Sequence, residues 1–137
     1  MTTLDFTVEH IGVAARDPVA LAEWYVRVLG CRELWRNADP VPAVFVRLPG
    51  GPILEIYPTQ HCFPQTADNR TAGWRHLALR VANLDTARSE LTRRGVQWID
   101  PVKPAGGGGR ILFFSDLDGN LLHLVERSAD SVLESRK

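Results

Sequence analysis

A histidine followed by an alternating run of small and branched residues occurs twice in this chain. That repetition constrains the fold more than any other feature. Glu9-His10-Ile11-Gly12-Val13-Ala14-Ala15 is answered by Arg75-His76-Leu77-Ala78-Leu79-Arg80-Val81. Side chains on a strand alternate between its two faces. Ile11 and Val13 therefore oppose His10, Gly12 and Ala14, and Leu77 and Leu79 oppose His76, Ala78 and Arg80. One face of each strand is suited to receive a helix. The other sets a histidine beside small neighbours, which leaves room for a cavity.

Each run leads into a helical pattern. Asp17-Pro18 makes an N-cap and first turn. Leu21, Trp24, Tyr25, Val28 and Leu29 then share one apolar face, and Gly30 stops the helix. In the second copy Asn83 or Asp85 starts a weaker pattern carried by Leu84, Ala87 and Leu91, and Gly95 ends it. Three strand signals follow each helix, over residues 32–36, 43–48 and 53–57, then 96–100, 110–115 and 121–126. Asp118-Gly119-Asn120 predicts the last hairpin. The chain is thus expected to be an α+β protein, a single domain of two tandem βαβββ modules forming a curved mixed sheet around a metal-binding cup. The modules are expected at about residues 4–58 and 74–127, with a linker over 59–73 and a polar tail over 128–137. Neither module could cover both faces of its sheet alone. Gly106-Gly107-Gly108-Gly109 reads as a flexible loop, because no phosphate-cradling context follows it.

The candidate site rests on four side chains. Glu55 interrupts Ile53-Leu54-Glu55-Ile56-Tyr57, a strand otherwise apolar on both faces, and a buried carboxylate needs a partner or a cation. Glu126 ends the corresponding strand of the second module. If the modules pair about a pseudo-twofold axis, His10, Glu55, His76 and Glu126 converge. Two imidazoles and two carboxylates suit one six-coordinate divalent ion with two positions open. Ni, Zn, Co, Mn and Fe(II) all fit that description. Glu126 and Glu55 are then candidates for the catalytic base. Arg80 shares the histidine face and is a candidate for holding an anionic substrate group, and Arg47 and Arg110 are further candidates for lining the cup. His123 has the opposite parity to Glu126 and is expected to face the helix layer as a structural residue.

Composition removes other classes of function. Acidic and basic residues balance at 16 each among 137 residues, so no electrostatic case exists for nucleic acid or an anionic membrane. No apolar run approaches the ~20 residues that span a bilayer. Cys31 and Cys62 are too few for a disulfide framework. A soluble cytoplasmic protein is expected.

His10-Ile11-Gly12-Val13, Trp24-Tyr25-Val26-Arg27-Val28-Leu29-Gly30, Leu54-Glu55-Ile56, His76-Leu77-Ala78-Leu79-Arg80-Val81 and the stretch from Phe114 through Asp118-Gly119-Asn120 to Leu122 also carry a likeness. Through them the chain resembles the vicinal oxygen chelate superfamily, which includes glyoxalase I, extradiol dioxygenases and the fosfomycin and bleomycin resistance proteins. The resemblance covers nearly all of residues 6–127 and places the family's metal positions on His10, Glu55, His76 and Glu126. It implies a glyoxalase-like lyase or isomerase acting on a small oxygenated substrate. The alternatives are an Fe(II)-dependent extradiol-type dioxygenase using His10, His76 and Glu126, or a non-catalytic small-molecule binding or resistance protein. It also implies a homodimer whose ligands can come from both subunits. Ala14 and Thr59 stand where glyoxalase I has its glutathione-contacting Arg and Asn, so glutathione hemithioacetal is not the expected substrate.

Overall fold

The computed structural model describes residues 4–62 and 67–133. The chain divides into two compact units, Met1–Cys62 and Phe63–Lys137. Each is built the same way.

In the first unit the order is β1 (His10–Ala15), α1 (Pro18–Leu29), β2 (Arg32–Arg36), β3 (Val44–Arg47) and β4 (Ile53–Pro58). The sheet runs β1-β4-β3-β2, with β1 parallel to β4 and the other pairs antiparallel. Asp17 caps α1 by accepting a hydrogen bond from the Ala20 amide at 3.0 Å, and Gly30 closes it at φ 73°. Leu21, Ala22, Tyr25 and Val28 of α1 are buried with Val44, Val46, Leu54 and Ile56 of the sheet. Fully burying each such aliphatic side chain contributes about 1.5–3 kcal/mol, which is what holds α1 to one face. The other face keeps its polar groups.

The second unit repeats the order with β5 (His76–Arg80), α2 (Leu84–Arg93), β6 (Trp98–Pro104), β7 (Arg110–Ser115) and β8 (Leu121–Glu126). Its sheet runs β5-β8-β7-β6. The core is Leu84 and Leu91 of α2 with Leu112, Phe114, Leu122 and Leu124. The architecture is therefore α+β, two tandem βαβββ modules, each with its own four-stranded mixed sheet. β6 differs most from the expected strand. It starts at Trp98 and runs to Pro104, with its pairing interrupted between Ile99 and Lys103 and Asp100 at φ 62°. Pro101 cannot donate to the ladder, and the strand passes it by bulging. Among the described residues no helix is long and apolar enough to cross a membrane.

Candidate metal-donor pairs

Register decides which side chains meet. In the first unit Gly12 lies opposite Glu55, one step along the strand face from His10. His10 Nε2 is 3.5 Å from Glu55 Oε1, and both side chains are about one-third exposed. His10 Nδ1 is 2.9 Å from Glu9 Oε1. A carboxylate only accepts, so Nδ1 is the donor toward Glu9. Two donors each about 2.1 Å from one ion lie roughly 3.0–3.4 Å apart for right-angle to tetrahedral geometry. The His10–Glu55 separation fits a shared cation after a small adjustment.

In the second unit the residue in the place of Glu55 is His123. Ile53 pairs with His10 and Leu121 with His76; Glu55 pairs with Gly12 and His123 with Ala78. The His76 and His123 rings lie 4.8 Å apart between centroids. His76 Nδ1 is 2.8 Å from Asn69 Oδ1, and His123 Nδ1 donates to the Leu124 carbonyl at 3.1 Å. Burial, first, and then the charges of His76 and Arg127 push the His123 imidazole below its ordinary pKa of 6.5, against that carbonyl bond. His123 is therefore neutral at pH 7, the form a metal ligand needs.

A matching phenylalanine braces each pair. Phe45 lies opposite Glu55 and meets the His10 ring edge-on at 5.8 Å. Phe113 lies opposite His123, 4.8 Å from its ring and 5.8 Å from that of His76. Trp35 extends the first cluster, 5.8 Å from Phe45, and is more than half exposed.

Glu126 does not join His76. Its parity opposes that of His123, as the alternation argument requires, but the faces are the reverse of those expected. His123 takes the histidine face and Glu126 the helix face. There Glu126 Oε2 accepts a hydrogen bond from the Leu84 amide at 2.8 Å, in the first turn of α2, and Oε1 binds Arg110 Nη2 at 3.1 Å. Arg110, in turn, is held by Glu126 and Asp85. An anion at a helix N-terminus is favoured by the orphan amides and the helix dipole. The Leu84 amide foremost, then Arg110, hold the Glu126 carboxyl below its ordinary 4.5, against the opposing effect of burial. A carboxylate so depressed contributes stability that is complete above about pH 4.5 and lost as pH falls through its folded value. Glu126→Gln is expected to be less stable than the parent at pH 7. The difference should vanish under acid, as followed by urea unfolding at each pH.

Arg80 is exposed at the end of β5, opposite Val125, and does not line the cavity that contains His76 and His123. Among the described residues, no three His, Cys, Asp or Glu side chains gather closely enough to hold an ion. Each unit holds a pair. Sequence reasoning missed His123, yet its signal was present. Leu121-Leu122-His123-Leu124 repeats Ile53-Leu54-Glu55-Ile56 with the polar residue in the same third place.

A family model described as Glyoxalase/Bleomycin resistance protein/Dioxygenase superfamily matches residues 7–124. The uncharacterized protein YwkD of Bacillus subtilis (strain 168) is 30% identical over 129 residues, covering 88% of this chain and 97% of YwkD. Among solved structures, a glyoxalase family protein from Enterococcus faecalis is 28% identical with a TM-score of 0.73, covering 88% of this chain and 97% of that one. TnmS3, an antibiotic binding protein from Streptomyces sp. CB03234, is 25% identical with a TM-score of 0.69, covering 93% and 100%.

Proposed function

Since the chain belongs to the Glyoxalase/Bleomycin resistance protein/Dioxygenase superfamily, we propose that it is a divalent-metal-dependent lyase or isomerase acting on a small oxygenated substrate. His10, Glu55, His76 and His123 are its donors. One observation carries this reading. Three histidines each bond an oxygen acceptor through Nδ1, to Glu9, Asn69 and the Leu124 carbonyl. Outer-shell bonds of that kind fix the tautomer of metal-binding imidazoles and leave Nε2 for the ion. When bound, the ion supplies Lewis-acid stabilisation of a developing enediolate or alkoxide.

Glu55 is the proton carrier in this scheme: its carboxylate stands beside His10 at 3.5 Å, and a carboxylate at the donor site is the group that would act as general base. Glu126 is withdrawn from that role, because Arg110 and the Leu84 amide already occupy its carboxylate. A dioxygenase built on His10, His76 and Glu126 loses its carboxylate by the same fact, and Glu55 would have to supply the acid of that triad. The cytoplasm and a homodimer remain the proposed setting.

Elemental analysis of protein purified without added metal, followed by assays with Ni, Co, Mn, Zn and Fe(II), tests the reading. Bound metal is expected in the parent and its loss in both His10→Ala and His76→Ala. Full retention in either variant would remove that residue from the donor set. The likeness to TnmS3 supports a second reading, a cup that binds small molecules without catalysis. Tight ligand binding by chelator-treated protein, with no turnover on any metal, would favour it.

A further inference from the structure

The second unit surrounds its histidine pair with positive charge. A cavity of about 430 Å³ is lined by His76, His123, Asn69, Phe113, Lys103 and Arg127 among others, and among the described residues no carboxylate lines it. In a chain with equal numbers of acids and bases, that is a local separation of charge. Lys103 Nζ sits 5.2 Å above the Phe113 ring centroid, over the same ring that edges both imidazoles. Its acidic neighbour is Asp100, at 3.4 Å. Asp100 and Asp68 line the adjoining cavity instead. Exposed pairs at that distance contribute little and are readily exchanged for another anion.

Arg127 is held differently. Its Nη1 donates to the carbonyls of Gly106 and Gly108 at 2.6 and 3.0 Å. The loop carrying those carbonyls is itself fastened, since Ser131 Oγ and the Val132 amide both bond the Gly107 carbonyl. Neutral carbonyls orient a guanidinium without cancelling its charge. Among the described residues no carboxylate lies within ion-pair distance of Arg127. The loop's role is thus to fix an arginine at the cavity rim.

We propose that this cavity receives the anionic end of the substrate, a carboxylate, phosphate or phosphonate group, with Lys103 and Arg127 as counter-ions. The substrate class becomes a small organic acid carrying an oxygen function beside its anionic group. This rests on the reading above only in treating the histidine cavity as the substrate's place, so the test is made without metal. Full-length protein treated with chelator is titrated with inorganic phosphate and, separately, acetate, and backbone amide NMR shifts are followed.

Saturable shifts at Lys103, Gly106 to Gly109 and Arg127 are expected, weakening as salt is added. Lys103→Gln and Arg127→Gln should each weaken binding about tenfold, as for loss of one charge-assisted contact. Lys103 makes no bond to the glycine loop, so its variant keeps the test decisive should Arg127→Gln fail to fold. Unchanged affinity in Lys103→Gln, or no saturable shift with either anion, would overturn the proposal. Saturable phosphate binding in a protein that takes up no metal would sustain it while removing the metal-dependent reading. Metal uptake without anion binding would do the reverse.

Discussion

On the proposed donor set, replacing His123 with alanine is expected to abolish divalent-ion binding as thoroughly as replacing His76. Affinity should fall on the order of 100-fold or more, since disturbing only an outer-shell partner already costs 10–100-fold. His123 is buried, holds Nδ1 on the Leu124 carbonyl and has its ring 4.8 Å from that of His76, tilted by 46°. The control is Glu126→Gln, which should retain the ion, because Glu126 bonds the Leu84 amide and Arg110 on the opposite face. Plasma mass spectrometry of the dialysed variants separates the outcomes. Metal retained by His123→Ala and lost by Glu126→Gln would restore the acid to the donor set. The pair also tests the sheet register, because the two side chains lie on opposite faces of one strand.

The difference between His123 and Glu126 shows what was legible in the sequence. Local rules carried far. Asp17-Pro18 and Gly30 bound α1 where capping chemistry puts them, and β2, β7 and β8 run over the residues that alternation marks. The parity of His123 against Glu126 was legible too. Which parity faced the helix was not, because it depends on pairing to β5 and not on β8 alone. Matching acid to acid was a chemical expectation, whereas the ladder matches position to position. A histidine can replace a carboxylate as a donor, so the repeat conserves place rather than residue type. Asn69, Lys103 and Arg127 were not legible for a different reason. They come from a loop, a bulged strand and the segment after β8, and only tertiary structure gathers them around one cavity.

The second large effect concerns stability, at Gly109. This residue lies at φ 117°, a conformation that residues with a side chain rarely adopt, immediately before β7. A Cβ placed there would overlap the Glu126 carbonyl oxygen and approach Arg127 Cα to 2.9 Å. Both neighbours are backbone of the adjacent strand end, so no side-chain rotation relieves the contact. Relief requires β7 and β8 to separate at that end, where Arg110 pairs with Glu126, or the glycine loop to turn away. Backbone strain alone costs on the order of 1–3 kcal/mol, and the overlap adds to it. Gly109→Ala is therefore expected to lose about 3 kcal/mol or more in urea unfolding, with Tm lowered by roughly 10 °C or more. Turning the loop would also carry the Gly106 and Gly108 carbonyls away from Arg127. Any folded fraction of this variant should bind phosphate more weakly than the parent. Gly106→Ala is the matched comparison, since a Cβ there meets open space; equal stability losses in the two variants would show that loop flexibility, and not the close approach to β8, sets the requirement for glycine.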